Sequence, residues 1–354
     1  FQAEDGIRDF CLSRGLGDVY KRQIQGQDLS EHEMFATFTK IMSGEATDTQ
    51  IGALLVAMLM KGETIDEISG AVNAMRSLST KVEIDTENAV DIVGTGGDGA
   101  NLFNVSTAAS FVVAAAGGVV AKHGNRSVSS KSGSADVLES LKIGINLNPE
   151  QVAECINEVG LGFMFAPMHH KAMKHAVGPR RELGLRTIFN ILGPMTNPAK
   201  VDRQLIGVYD RKWCRPIAEV MRNIGSKHIL VVHSEDGLDE ISCASRTFIV
   251  ELKNGAISES VIGPDDFGMN KVSLNSLVSK NADHSSKIIT DLFCNKSVLG
   301  EAIVTMHAGA ALYVSGIADS ISAGISLAKD TVRSGKAILK VKELSALSLN
   351  LSDR

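Results

Sequence analysis

A glycine-dense segment at residues 94–107 has the residue types and spacing best suited to binding a phosphate. It follows the apolar run 89–93 and precedes an alanine- and valine-rich stretch that can begin a helix at Ser106. Glycine lets backbone N–H groups approach an anion closely, and the amino end of a helix favours negative charge. The segment therefore predicts a phosphate site between a strand and a helix, with a ligand-free glycine-rich turn as the alternative.

Two familiar nucleotide-binding motifs do not fit this segment. Gly94, Gly96 and Gly99 match the dinucleotide fingerprint, but six residues separate Gly99 from Ser106. About 20 residues further on, where a ribose-binding carboxylate is expected, the chain carries valines and Lys122. A Walker A motif is excluded as well, because no Gly-Lys-Ser or Gly-Lys-Thr closes the loop.

Residues 122–136 form a second polar segment, with three cations and five serines in a chain that is acidic overall. The segment follows the apolar run 117–121, so it is expected at the carboxyl end of a strand, where open α/β sheets bind ligands. Lysine charge, hydroxyl groups and backbone amides together suit a diphosphate. A solvated polar loop is the alternative.

Charged residues in two later segments suit a carboxylate and a metal ion. Arg180, Arg181 and Arg186 could bind a carboxylate through paired hydrogen bonds, although charges on a helix face are the commoner case. The adjacent Asp239 and Glu240 follow the strand expected at residues 229–233 and could hold Mg²⁺, which prefers oxygen ligands and retains water. A solvated turn is the alternative for this acidic pair.

Two kinds of secondary structure must position these segments. Residues 28–79 predict a small helical unit, because apolar residues recur at helical spacing and three capping boxes begin the helices. The boxes pair Ser30 with Glu33, Thr47 with Gln50, and Thr64 with Glu67. From residue 89, short β-branched runs alternate with helical stretches, which predicts a mostly parallel sheet covered by helices. A hairpin is expected at residues 247–262, with Asn254 and Gly255 at its turn.

Together these patterns predict an α/β fold in which a small N-terminal α-helical domain precedes a larger α/β domain with a mostly parallel central sheet. The expected boundaries are residues 24–88 for the helical domain, with helices from about 170–198 packing on it, and residues 89–350 for the α/β domain. Residues 1–23 are expected to be a non-native or disordered leader, because they lack an initiator Met, an apolar signal core and amphipathic periodicity.

Composition excludes several classes of protein. The formal net charge of −5 argues against a general nucleic-acid binder. Five scattered cysteines without a CxxC pair indicate reduced thiols and a cytoplasmic protein. The longest apolar runs are shorter than the ~20 residues of a membrane span, so no membrane association is expected.

In order, spacing and residue type, these segments closely resemble the anthranilate phosphoribosyltransferase family of tryptophan biosynthesis. The likeness rests on residues 94–98, 104–107, 122–130, 180–194 and 239–240, and it extends from about residue 29 to residue 343. It implies a fold of the nucleoside phosphorylase and phosphoribosyltransferase type, and a homodimer. It also implies a Mg²⁺-dependent glycosyltransferase, more narrowly a pentosyltransferase, that acts on phosphoribosyl pyrophosphate and anthranilate.

The resemblance assigns individual residues to each ligand. Phosphoribosyl pyrophosphate would be bound by Gly94, Gly97, Asp98, Asn104, Val105, Ser106, Thr107, Lys122, His123, Gly124, Asn125, Arg126, Ser127, Val128, Ser129, Ser130 and Ser134. The metal would be held at Ser106, Asp239 and Glu240. Anthranilate would be bound by Gly94, His123, Asn125, His170 and Arg180, with its carboxylate at Arg180 and with His123, Asn125 and Arg180 positioning it.

Two residues depart from the family pattern. Leu102 stands where a small hydroxyl residue is typical, and His307 replaces a usual Asn. Neither is at a metal position or at Arg180, so the assignment is kept.

The implied reaction is displacement of pyrophosphate from the ribose C1 carbon by the aryl amine of anthranilate, which gives N-(5-phosphoribosyl)anthranilate. Two other functions stay open: a pyrimidine nucleoside phosphorylase of related fold, and a non-catalytic paralogue that binds nucleic acid. Asp239, Glu240 and residues 122–126 favour the diphosphate substrate over the first alternative. The acidic net charge disfavours the second, because binding to nucleic acid depends on cationic side chains.

Overall fold

The structure is a computed structural model that describes residues 15–86, 88–126 and 132–352. It contains two compact units. Of these residues, a helical unit comprises those from Gly15 to Ser79 together with His170–Thr196, and an α/β unit comprises those between Thr80 and His169 and those from Asn197 to Ser352. No helix within the described ranges combines the length and the apolar content that crossing a bilayer requires.

The helical unit begins with four helices: α1 (Leu16–Ile24), α2 (Glu31–Ser43), α3 (Asp48–Lys61) and α4 (Ile65–Leu78). The three predicted capping boxes are confirmed at the starts of α2, α3 and α4. In each, the cap hydroxyl accepts from the backbone N–H three residues later, and the Glu or Gln side chain there accepts from the cap N–H. Local sequence therefore determines where these helices begin.

Glu67, a fully buried carboxylate on α4, links that helix to α1, to α3 and to the residue before the cap of α2. It accepts from Gln23 Nε2 at 2.7 Å and from Leu29 N at 3.0 Å, and it pairs with Lys61 Nζ at 2.9 Å. Gln23 lies on α1, so residues 16–24 form a helix bound to this unit, which differs from the disorder expected of a leader ending at residue 23. Residues 1–14 of that leader lie outside the described residues, and its non-native origin stays a prediction.

The chain next forms the first half of the α/β unit and then returns to the helical unit. The α/β elements are β1 (Val90–Gly94), α5 (Val105–Ala115), β2 (Val120–Gly124), α6 (Ser134–Ser140), α7 (Pro149–Val159), β3 (Leu161–Phe165) and α8 (Ala166–His169). The returning elements are α9 (Lys174–Leu183) and α10 (Phe189–Met195). Within the helical unit, α9 packs on α2 and α3, and α10 packs on α4.

The second half of the α/β unit completes the sheet and its helical cover. Its elements are β4 (Arg203–Gly207), α11 (Cys214–Asn223), β5 (His228–Ser234), β6 (Thr247–Lys253), β7 (Ala256–Ile262), α12 (Ala282–Phe293), α13 (Glu301–Val314), α14 (Ile321–Arg333) and α15 (Lys336–Ser352). Helix α13 is buried along most of its length and packs against α5, α14 and strands β1, β4 and β5.

In the part of the chain that the structure describes, seven strands form one sheet in the order β3-β2-β1-β4-β5-β6-β7. The strands from β3 to β5 are parallel, and β6 and β7 add an antiparallel hairpin whose turn holds Asn254 and Gly255 at φ 50° and 82°. The predicted fold class and the hairpin are confirmed. Chain order runs outward in both directions from the β1–β4 pair, and such a switch point opens a crevice at the carboxyl ends of the strands.

Candidate active site

The carboxyl ends of β1 and β4 meet at Gly94 and Gly207, which pair directly in the sheet. A Cβ atom at Gly94 would overlap the Asp239 carboxylate, and one at Gly207 would overlap the Asp239 carbonyl oxygen. The segment that carries Asp239 and Glu240 therefore lies directly on the switch point. Only glycine at positions 94 and 207 leaves room for Asp239. Sequence reasoning missed Gly207, although a glycine within an apolar strand run is a signal for close backbone approach.

The loop after β1 surrounds the Asp239 side chain. Gly96, Gly97 and Gly99 adopt left-handed φ values of 65°, 80° and 76°, which favour glycine. Gly96 N donates to Asp239 Oδ2 at 2.7 Å, and Asp98 Oδ1 accepts from Ala100 N at 3.1 Å. The predicted glycine-rich loop thus binds an acidic residue that lies 143 positions further along the chain than Gly96.

The amino end of α5 brings the predicted metal residues together. Asn104 caps the helix, since its Oδ1 accepts from Thr107 N at 3.0 Å and from Ser106 Oγ at 3.2 Å. The Ser106 backbone lies close enough to the Glu240 carboxylate to favour its ionised form and lower its pKa. Val105 is fully buried, so only its backbone could meet a ligand. The Thr107 hydroxyl is buried and has no hydrogen-bond partner among the described residues.

Lys122 and His123 lie inside β2, which runs to Gly124, and not in a loop after it as the sequence predicted. The strand continues beyond the apolar run, because it includes two polar side chains. Both are buried, at 2% and 4% exposure. Lys122 Nζ donates to the Ile92 carbonyl and, at 3.3 Å, to Ser106 Oγ. Burial lowers the pKa of Lys122 to about 8, against the opposing charges of acidic neighbours.

Asp91 is a buried carboxylate beneath these residues that sequence reasoning missed. It accepts from His123 N at 3.1 Å and from Asn197 Nδ2 at 2.8 Å. Burial raises its pKa to about 6, while the charge of Lys122 and these hydrogen bonds act in the opposite direction. A single acid inside the apolar run 89–93 was the available signal. Its role is to hold the backbone at His123 and to balance the Lys122 charge.

Three carboxyl groups crowd the switch point. Burial and then repulsion from Asp98 raise the pKa of Asp239 to about 7, and burial raises that of Asp98. Burial, Asp239 and Asp98 raise the pKa of Glu240 well above its usual range, whereas Lys122 lowers it. The cluster is therefore short of positive charge, so an added cation would stabilise it.

A magnesium ion fits this donor set. No group of three or more His, Cys, Asp or Glu side chains that could hold a metal by itself occurs within the described ranges. Mg²⁺ is commonly held by one or two carboxylates and completes its octahedron with water and substrate phosphate oxygens. Asp239, Glu240 and the Ser106 hydroxyl supply oxygen donors of this type beside the glycine-rich loop.

The polar segment after β2 is described only at its two ends. Ser127, Val128, Ser129 and Ser130 lie outside the described residues. Asn125 is exposed, and its carbonyl accepts from Ala135 N at 3.3 Å. Arg126 forms ion pairs with Asp136 at 2.8 Å and Glu139 at 2.6 Å, so its charge is already matched by carboxylates. Ser134 begins α6, close to Gly124.

Arg180 and His170 belong to the helical unit and are described within it. Arg180 lies on α9 with its guanidinium 5.0 Å from the centre of the Phe189 ring. Burial lowers the pKa of Arg180, and this side chain forms no ion pair among the described residues. His170 is 7% exposed. The assignment of both residues to anthranilate stays a prediction.

The two residues that depart from the family pattern lie in different surroundings. Leu102 forms an antiparallel bridge with Val278 and packs against the core of the α/β unit. His307 is buried in α13, and its Nδ1 accepts from Ile241 N at 3.3 Å. His307 thus contacts the residue that follows the acidic pair.

Two family models match the chain. The helical bundle domain of a glycosyl transferase family matches residues 18–79, and the a/b domain of a glycosyl transferase family matches residues 86–338. Anthranilate phosphoribosyltransferase from Cellvibrio japonicus is 55% identical over 94% of this chain and 98% of its own length. The enzyme of that name from Marinobacter nauticus is 56% identical over 91% and 95%.

Solved structures agree with these matches. The crystal structure of anthranilate phosphoribosyltransferase from Thermus thermophilus has a TM-score of 0.88 and 37% identity, covering 93% of this chain and 99% of that one. The Saccharomyces cerevisiae enzyme in complex with PRPP and Mg has a TM-score of 0.86 over 95% and 98%, and at 24% identity it supports the fold alone. The family models and the curated relatives together show that this chain belongs to the anthranilate phosphoribosyltransferase family.

Proposed function

We propose that the chain transfers the phosphoribosyl group of phosphoribosyl pyrophosphate to anthranilate, as a Mg²⁺-dependent pentosyltransferase of tryptophan biosynthesis. One observation carries this proposal: the glycine-rich loop, the amino end of α5, buried Lys122 and the pair Asp239-Glu240 converge on the switch point of the sheet. The names of relatives at 55% and 56% identity support the same activity.

In the proposed reaction the C1–O bond to pyrophosphate breaks as the anthranilate nitrogen forms the C1–N bond, and the amine proton is released. Lys122 and the α5 amide groups would stabilise the negative charge of the departing diphosphate. Mg²⁺, when bound by Asp239, Glu240 and Ser106, supplies further positive charge at the leaving group. An aryl amine is unprotonated at neutral pH, so the residues need only position it.

The phosphate ligands proposed here are the loop and helix residues predicted from sequence. Gly94, Gly97 and Asp98 come from the loop after β1, and Asn104, Val105, Ser106 and Thr107 come from the start of α5. Lys122, His123, Gly124, Asn125, Arg126 and Ser134, with the four residues 127–130, complete the set. For Arg126, binding a phosphate would require exchange of its carboxylate partners, since both ion pairs are short.

Arg180 is proposed to bind the anthranilate carboxylate, with His170, His123 and Asn125 positioning the ring. Its half-buried guanidinium without an ion pair among the described residues would gain a bidentate partner. Arg180→Ala should raise the KM for anthranilate by about 10-fold or more, the loss expected of a charged hydrogen bond, and leave the KM for the sugar diphosphate unchanged. Arg181→Ala, an exposed neighbour, is the matched control in steady-state kinetics. Equal effects on both substrates would contradict the assignment.

The decisive assay mixes the protein with anthranilate, phosphoribosyl pyrophosphate and Mg²⁺ and follows the loss of anthranilate fluorescence. The double substitution Asp239→Asn with Glu240→Gln should lower turnover by ~10²-fold or more and abolish the dependence on Mg²⁺. Asp265→Asn, which removes an exposed acid paired only with Lys271 among the described residues, is the control. Phosphorolysis of thymidine or uridine without Mg²⁺, or DNA binding without turnover, would overturn the proposal.

A homodimer and a cytoplasmic location complete the proposal. Ile24 and Met60 of the helical unit are 71% and 83% exposed, and Leu59 is 42% exposed, which supports an apolar contact surface on α1 and α3. Among the described residues, four cysteines are free thiols, as expected of a reducing compartment. Sedimentation equilibrium of the protein and of Met60→Glu tests the dimer, and fractionation of producing cells tests the location.

A further inference from the structure

His307 lies on α13 and is 1% exposed. Its Nδ1 is 3.3 Å from Ile241 N and accepts a hydrogen bond from it. Ile241 directly follows Glu240, so the imidazole contacts the backbone one peptide beyond the acidic pair. The two residues are 66 positions apart, and the contact joins the helical layer to the segment that carries the carboxylates.

The backbone of this segment is held from two sides. From the sheet, Ser234 Oγ donates to the Glu240 carbonyl, and Ser242 N donates to Ser234 Oγ at 3.2 Å and to Thr247 Oγ1 at 3.0 Å. From the helical layer, His307 accepts the N–H that lies between these two anchors. The peptide on the carboxyl side of Glu240 is therefore fixed in both directions.

The imidazole can act as this acceptor because it is neutral. Burial and then the charge of Lys122 lower the pKa of His307 to about 3. Nδ1 therefore keeps its lone pair at neutral pH, and the ring proton is on Nε2. A protonated ring would offer a donor to another donor, and an apolar side chain would leave the Ile241 N–H buried without a partner.

We propose that His307 is a positioning residue that orients the Asp239-Glu240 segment for the metal and the sugar diphosphate. The inference rests on the proposed function and deepens it. His307 touches neither substrate nor metal in this scheme; it acts through the backbone at Ile241. Loss of the acceptor should free the Glu240 carboxylate from its aligned position and weaken metal-dependent diphosphate binding, without a direct effect on anthranilate.

Three variants separate this role from simple core packing. His307→Leu removes the acceptor, His307→Asn keeps a side-chain oxygen that can accept from an N–H, and Thr305→Val is the control. Thr305 lies on the same helix, equally buried, and its hydroxyl bonds back to the Glu301 carbonyl. The probe is Mn²⁺, a paramagnetic cation that takes the same oxygen ligands as Mg²⁺. Its binding is measured by electron paramagnetic resonance with phosphoribosyl pyrophosphate present.

His307→Leu should weaken this Mn²⁺ binding about five- to tenfold, the loss expected for one hydrogen bond. His307→Asn should restore most of the affinity, and Thr305→Val should bind as the unchanged protein does. The KM for anthranilate should stay constant throughout the series. Unchanged Mn²⁺ affinity in a folded His307→Leu protein would overturn the inference, as would equal weakening in Thr305→Val.

Folding and function are controlled separately. Thermal unfolding without ligands shows whether each variant folds, and His307→Met replaces the leucine variant if that one does not. Failure of both apolar variants to fold, with Thr305→Val folded, would make His307 a stability residue and reject the inference. If the unchanged protein binds no Mn²⁺ with the sugar diphosphate, the proposed function fails, and the inference fails with it. Binding in the unchanged protein with no change in the variants rejects the inference alone.

Discussion

Gly94 and Gly207 lie side by side where β1 and β4 end, and Asp239 fills the space that two side chains would occupy. The first of these glycines was predicted from its loop, because a glycine-rich run is a local signal. Gly207 was not, because its neighbour in space is 32 positions later in the sequence, and a glycine within an apolar run signals a close approach without identifying the partner. Asp91 was missed for the same reason, since its partner Asn197 is distant in sequence.

Gly207→Ala should displace the Asp239 backbone, because a Cβ atom would overlap the Asp239 carbonyl oxygen. We expect turnover to fall by about 10²-fold or more, and overpacking to cost ~1–3 kcal/mol of unfolding free energy. Steady-state kinetics and urea denaturation provide the measurements. Gly52→Ala is the control, because a Cβ there meets nothing within 4 Å. Full activity in Gly207→Ala would show that Asp239 is placed otherwise.

Lys122 should set the alkaline limit of diphosphate binding. Its pKa is lowered to about 8, so the ammonium group loses its proton, and with it the charge, as the pH rises through 8. The value of kcat/KM for phosphoribosyl pyrophosphate reports the free enzyme and should fall tenfold per pH unit above that point. With the diphosphate bound, its negative charge holds the proton, so the anthranilate profile at saturating diphosphate should extend to higher pH. Identical limits for both substrates would contradict this role.

At the scale of elements, local signals predicted the beginnings of helices well and the ends of strands poorly. The capping boxes of α2, α3 and α4 act within four residues, so sequence contains the whole interaction. The end of β2 depends instead on its partner β3, which pairs with Lys122 and His123 as strand residues. Polar residues in a buried strand therefore resemble a loop until the pairing is known.

The crossing of α13 and α14 depends on two facing glycines, Gly309 and Gly324. A Cβ atom at Gly324 would overlap the Gly309 carbonyl, a backbone atom that cannot rotate away. Gly324→Ala should therefore destabilise the α/β unit by ~1–3 kcal/mol, although alanine is the better helix former. Chemical denaturation compares it with Ser326→Ala, an exposed site on the same helix. A more stable Gly324→Ala protein would show that the helices can separate at little cost.

At the scale of the whole molecule, the combination of a helical domain and an α/β domain could be predicted from the sequence. The spacing of apolar residues changes near residue 89 from a helical pattern to short strand-like runs. The convergence of four distant segments at one switch point was reached only through the family resemblance. Residue types suggested a phosphate, a carboxylate and a metal, and the resemblance placed them in one site. The number of residues between two segments does not indicate their distance in space when they are more than 100 positions apart, as Gly96 and Asp239 are.

Deleting residues 1–23 tests how the chain start contributes. The deletion removes the Gln23 amide from Glu67 and the Arg22 ion pair with Glu33. We expect unchanged turnover, because no proposed ligand residue is lost, and a fall of ~1–3 kcal/mol in the unfolding free energy, since a buried carboxylate loses a donor. Deleting residues 1–14 alone, which keeps both contacts, should change neither quantity. Loss of turnover in the longer deletion would show a role beyond stability.

The crowding of Asp98, Asp239 and Glu240 links the stability of the unliganded protein to its affinity for ligand. Their raised pKa values mean that ionising them in the folded chain is unfavourable, so at neutral pH the unliganded protein gives up some stability to keep them there. Part of the affinity for a metal-bound diphosphate then comes from relief of the repulsion among these carboxylates when the cation binds. Selection for stability of the unliganded protein and selection for catalysis would therefore favour different residues at these three positions. The loss of stability would matter most in a cell where the ligands are scarce.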